Sequence, residues 1–106
     1  MNIYEGHRDT EGEVIVTKNG SILSPAKSLK VVNHSPTGFE FGYCGSGPAQ
    51  LALAILLDVT GDEDLASRHH QAFKSNFVAG WGDQWEITSV QVLDWINGKV
   101  DGILRT

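Results

Sequence analysis

Gly45-Ser46-Gly47-Pro48-Ala49-Gln50-Leu51-Ala52-Leu53-Ala54-Ile55-Leu56-Leu57 reads as the start and body of a helix. Proline suits a first helical turn, where the missing N–H has no helical partner to lose. Ser46 or Gly47 is the expected N-cap just before it. From Leu51 to Leu57 every residue is apolar, so no polar face remains. A helix that is apolar nearly all round is buried on most sides, and this one is expected at the centre of the fold. Thr60-Gly61-Asp62 ends it, with Gly61 fitted to the left-handed C′ position.

Downstream, a second helix is expected from about Asp62 to Val78. Asp62, Glu63 and Asp64 fall in its first turn, at the positive end of the helix dipole. Leu65, His69, Phe73 and Phe77 recur every fourth residue and define an apolar face, widened by Ala66 and Ala72. On that spacing His69 is a core histidine and His70 faces solvent. Gly80 to Gly82 breaks the pattern, and Trp85-Glu86-Ile87 is a strand or a plain connector. Thr88-Ser89-Val90-Gln91 fits a capping box for a third helix, with Ile87 placed to staple against Val92. Leu93 and Ile96 extend its apolar face, and Asn97-Gly98 is read as its stop.

Upstream, the pattern is β. Ile3 to His7 can be extended, Asp9-Thr10-Glu11-Gly12 is turn chemistry, and Glu13-Val14-Ile15-Val16-Thr17 alternates with β-branched residues. Asn19-Gly20 then predicts a tight hairpin into Ser21-Ile22-Leu23. Pro25 ends that strand, since proline has no N–H to give to a ladder. Lys30-Val31-Val32 is expected as a short strand, and Phe39-Glu40-Phe41 as a brief extended piece. The sum is an α+β fold, a small N-terminal antiparallel β-hairpin sheet packed against about three α-helices.

The totals narrow the function classes. One domain over 1–106 follows from length, and a chain of this size buries roughly two thirds of its unfolded surface. The single cysteine, Cys44, can form no intrachain disulfide, which points to a reducing compartment and a cytoplasmic location. No run approaches the ~18 apolar residues of a membrane span, and Met1-Asn2-Ile3-Tyr4-Glu5 lacks the basic start and apolar stretch of a signal peptide. Net charge is −5 and the pI near 5.2, with the basic residues dispersed, so duplex nucleic acid and anionic membranes are poor partners.

The unusual stretch is Asn33 to Gln50. Loops this long without structure of their own are often functional. Its glycines permit close backbone approach, and Ser46 and Gly47 lead into a helix N-terminus, where free N–H groups attract anions. The candidate ligand-binding residues are Asn33, His34, Ser35, Thr37, Gly38, Phe39, Tyr43, Gly45, Ser46, Gly47 and Gln50. Tyr43 or Phe39 would stack on the ligand, and Lys27, Lys30 or Arg8 would supply charge. The expected ligand is a phosphate-bearing, nucleotide-like small molecule. Against it stand Pro48, which removes one donor, and a glycine spacing that matches neither the dinucleotide fingerprint nor the phosphate loop. The plain alternative is a structural loop before a well-capped helix.

A hydrolase using His34 with Ser35 or Cys44 is a third option, but no G-x-S-x-G elbow is present. Cys44 reads better as a small packing residue or inert thiol. His69 and His70 point about 100° apart on a helix and cannot easily share one ion, so no metal is expected. No cofactor is implied. The tryptophans Trp81, Trp85 and Trp95 read as core plugs, with Trp81 the one most expected in solvent.

Asn33-His34-Ser35-Pro36-Thr37-Gly38-Phe39-Glu40-Phe41-Gly42-Tyr43, followed by Gly45-Ser46-Gly47-Pro48-Ala49-Gln50-Leu51-Ala52, resembles the signature of an uncharacterised family of small bacterial and phage proteins, known only as a domain of unknown function. The likeness extends to Tyr4-x-Gly6, Phe73-Lys74, Trp85 and the closing helix. Two positions depart from it: Phe41, where tryptophan is expected, and Cys44, where glycine is. The resemblance implies a phage or mobile-element setting and no activity. In that setting a counter-defence role is an expectation, either as a sponge for a nucleotide signal or as an inhibitor docked on a host defence protein. Self-association into a homo-oligomer is left open.

Overall fold

A computed structural model describes the backbone of residues 1–105 and the side chains as far as Lys99. In chain order the elements are β1 (Ile3–Arg8), β2 (Val14–Lys18), β3 (Ser21–Ile22), α1 (Ala26–Val31), α2 (Ser46–Thr60), α3 (Glu63–Asn76), a 3-10 turn (Val78–Gly80), β4 (Gln84–Thr88) and α4 (Ser89–Arg105). The four strands form one antiparallel sheet in the order β3-β2-β1-β4. The fold is α+β, with one strand recruited from the C-terminal half and four helices where three were expected. No described helix is long and apolar enough to cross a membrane.

Asn19 and Gly20 take positive φ, 51° and 85°, which sets Lys18 opposite Ser21 and closes the β2–β3 hairpin as expected. β3 stops after two residues. Pro25 does not merely end a strand; it adopts helical angles and starts α1, with Leu29 N–H donating to its carbonyl. Lys30-Val31-Val32, expected as a strand, is therefore the tail and cap of that short helix. The β-branched pair was outweighed by a local start signal at Ser24 and Pro25, where Ser24 Oγ accepts from Ala26 N–H.

α2 lies at the centre, with every residue from Gly47 to Leu56 buried. Its N-cap is Gly45, in an extended conformation, rather than Ser46 or Gly47. Pro48 thus occupies the third helical position, still within the stretch whose N–H groups have no helical acceptor. Gly61 caps the other end in the left-handed region at φ 66°. Tyr4, Phe41, Phe73, Val78, Trp85, Ile87, Val92 and Ile96 close around this helix.

The register of α3 differs from expectation. Asp62 caps it, its Oδ1 accepting from Leu65 N–H. Ala66, His70 and Phe73 face the core, while His69 is half-buried and Ala72 exposed. The every-fourth-residue series drifts around a 3.6-residue helix, so the true face follows the 66, 70, 73 spacing. α4 begins with the expected capping box: Gln91 N–H donates to Thr88 Oγ1 and Thr88 N–H to Gln91 Oε1. It then runs through Asn97-Gly98 instead of stopping there. Leu93, assigned to its apolar face, is exposed, and the inward stripe is Val92 and Ile96.

Candidate functional site

Residues 33–45 carry no regular element, yet they are fixed in place by specific bonds. Gln50, in the first turns of α2, is fully buried. Its Oε1 accepts from the N–H groups of His34 at 2.8 Å and Ser35 at 3.1 Å. Its Nε2 donates to Ser28 Oγ at 2.9 Å and to the Val32 carbonyl at 3.1 Å. One carboxamide thereby ties α1, the start of the loop and α2 together, with its donors and acceptor all engaged internally. Gln50 is a clasp for the loop rather than a surface that meets a ligand.

His34 is brought beside His70, the residue expected in solvent. Their Nε2 atoms lie 2.9 Å apart with ring centroids 5.1 Å apart, so the rings meet nearly head-on. His70 Nδ1 is 2.7 Å from the Ser67 carbonyl and so holds a proton there. Its Nε2 is then an acceptor, and His34 Nε2–H donates to it. Burial first, then the neighbouring His70 and Lys74, hold His34 below the usual histidine range. The proton on His34 Nε2 and the lone pair of His70 Nε2 are thus both spent on this one bond. Among the described residues no group of three or more His, Cys, Asp or Glu side chains is placed to hold a metal. His34 is bonded to His70 rather than to Ser35 or Cys44, and Cys44 is exposed, contrary to its reading as a packing residue.

At the helix N-terminus expected to hold an anion, Ser46 is exposed while the glycines on either side are closely packed. A Cβ added at Gly47 would lie 2.5 Å from Glu40 Cβ, and one at Gly45 would lie 2.6 Å from the Tyr43 ring. Glycine at both positions is what allows those side chains to lie against the turn. Glu40 also carries its own negative charge to this corner, with Oε1 at 2.9 Å from Arg8 Nη2. Arg8 sits over the Phe41 ring at 4.6 Å and also bonds the Phe41 carbonyl. The arginine expected to meet a ligand is thus engaged by Glu40, which raises its already high pKa. Trp81, expected in solvent, stacks on Trp85 at 4.0 Å. Lys27 and Lys30 lie elsewhere, lining a cleft of about 350 Å³ with Asp58 and Glu63.

What residues 35–40 do line is a cleft of about 470 Å³ against the hairpin. Ser35, Thr37, Gly38, Phe39 and Glu40 form one wall; Glu11, Gly12, Glu13, the β2 residues Val14 to Val16, and Ile22, Leu23 and Pro25 form the other. Four of the candidate ligand-binding residues, Ser35, Thr37, Gly38 and Phe39, meet here. Asn33 and Ser46 are exposed, Tyr43 and Gly45 pack on each other, and Gly47 lies under Glu40.

Glu11 and Glu13 on the cleft lining, and the backbone of Val14, were missed in the sequence. The signal for Val14 was in the hairpin. Leu23 N–H donates to the Val16 carbonyl, so continuing the register sets Pro25 opposite Val14. Proline has no N–H to give, and the chain leaves for α1 at that point. Odd-numbered β2 residues bond towards β1, as Asp9 N–H to Glu13 O and Asn19 N–H to Ile3 O show at either end. The N–H and C=O of Val14 therefore point the other way, into the cleft.

Residues 4–98 match the model of a family of unknown function, DUF6166, and the chain belongs to that family. No curated protein matches it, and no solved structure does.

Proposed function

We propose that this chain is a small-ligand binding module whose ligand lies in the cleft between the hairpin and residues 35–40, and that the ligand carries a positive charge beside an apolar body. The observation that supports this is the cleft lining itself. Its volume of about 470 Å³ is in the range of small-molecule sites. Val14, Ile22, Leu23, Pro25 and Phe39 offer apolar contact, Ser35 and Thr37 offer hydroxyls, and Glu11, Glu13 and Glu40 lie on the lining, with the Glu40 carboxylate paired to Arg8.

The phosphate-bearing ligand suggested by the glycine-rich segment is the weaker form of this reading. An exposed helix N-terminus attracts an anion by about 0.3–1 kcal/mol. A carboxylate ~4 Å from a bound anion opposes it by about 1 kcal/mol in water and about 4 kcal/mol at the dielectric of a protein surface. Arg8 offsets the charge of Glu40, but Glu11 and Glu13 remain. The sign of the site favours a cation.

A thermal-shift panel of paired compounds tests this, each pair sharing one aromatic body and differing only in an ammonium or a phosphate group. The ammonium members are expected to raise the melting temperature. Glu11→Gln with Glu13→Gln, two exposed changes that leave the core untouched, is expected to weaken them roughly 2- to 30-fold. Stabilisation by the phosphate members, or indifference to the double change, overturns the assignment.

A further inference from the structure

We propose that the occupant of this cleft is an extended peptide segment bearing lysine or arginine, which pairs with Val14 and adds to the sheet as a further strand. This rests on the cleft reading above and names the class of ligand. A point charge would need only the carboxylates. The cleft also presents a main-chain donor and acceptor from one residue, Val14, left open because β3 covers just Thr17 and Lys18 by strand pairing and Pro25 cannot continue the ladder. Open strand edges are the sites where extended peptides add, with main-chain bonds giving affinity and side chains giving selectivity.

Side-chain selectivity follows from the pleat. A residue set opposite Glu13 on an added strand has its Cβ about 4.5–5.5 Å from that of Glu13, where opposite charge is favoured. Alternate residues of the peptide then face the other way. Val14, on the opposite side of the pleat from Glu13, and Phe39 on the far wall supply apolar contact, while Ile22, paired with Thr17, shares the face of Glu13. The pattern that fits is alternating, basic then apolar.

The probe is the capped pentapeptide acetyl-Val-Lys-Val-Lys-Val-amide, compared by calorimetry with its glutamate counterpart and with a version methylated at alternate backbone amides. The lysine peptide is expected to bind at least ten-fold more tightly than either. It is also expected to slow hydrogen exchange at the Val14 amide, and to weaken with Glu11→Gln and Glu13→Gln together. Equal binding of the methylated peptide, or unchanged exchange at Val14, overturns strand addition. If an aromatic ammonium binds the cleft while the peptide does not, this inference alone fails; if neither binds, the cleft reading fails with it. Slowing of Val14 exchange that depends on protein concentration, with no peptide present, assigns the edge to a second copy of the chain and overturns the proposal.

Discussion

At the scale of single residues, Gln50 decides where the loop goes. Removing its carboxamide strands two N–H groups and one carbonyl around a buried site, while the Ser28 hydroxyl keeps its bond to the Pro25 carbonyl. Each unsatisfied buried polar group costs about 1–3 kcal/mol, and part of this set can turn to water. Gln50→Ala is expected to lower stability by roughly 3 kcal/mol, measured by denaturant melts, with faster hydrogen exchange at His34 and Ser35. A loss below about 1 kcal/mol would mean the clasp is not what holds the loop. The residues of this segment were legible as unusual, and four of the eleven candidates do line the cleft. Their charge environment was not legible. Glu11 and Glu13 lie more than twenty residues upstream, and only the folded hairpin brings them opposite Thr37 and Gly38.

At the scale of elements, local signals with a definite stereochemical cause were readable and tertiary competition was not. Asn19-Gly20 demands positive φ, Gly61 ends α2 in the left-handed region, and Thr88 with Gln91 closes a capping box. Each acts within four residues. Thr88→Ala removes a side-chain acceptor from the start of α4 and is expected to cost about 1 kcal/mol. For a domain of this size that is a fall of about 4 °C or more in Tm by calorimetry. The misread elements were set by longer contacts. Lys30-Val31 was absorbed into α1, which Ser28 anchors through Gln50. Asn97-Gly98 was carried through inside α4. The face of α3 was misassigned because a four-residue count fits a 3.6-residue helix only briefly, and that error concealed His70.

At the scale of the whole molecule, two titrations link stability to pH. His34 is held below its ordinary value, so the unfolded chain binds protons that the folded chain refuses. Stability is fully present above about pH 6.5 and falls as pH drops through and below that value. Asp58 lies lower: burial raises it, but the bonds from Tyr4 and Lys18 outweigh burial and leave it below the usual carboxylate range. Its contribution is lost only as pH falls below about 4. Denaturant melts between pH 7.5 and 5 are expected to show the first loss, and His34→Gln to flatten it; an unchanged slope in the variant would place the titration elsewhere.

At the same scale, the proposed function is that the cleft carrying Glu11 and Glu13 takes a positively charged ligand. Amide chemical-shift mapping locates binding directly, with an aromatic ammonium compound and its phosphate twin titrated separately into the protein. The ammonium compound is expected to move the resonances of Val14, Leu23, Ser35, Thr37 and Gly38 together. Shifts confined to Gly45, Ser46 and Gly47 with the phosphate twin, and none along the hairpin with either compound, would contradict it.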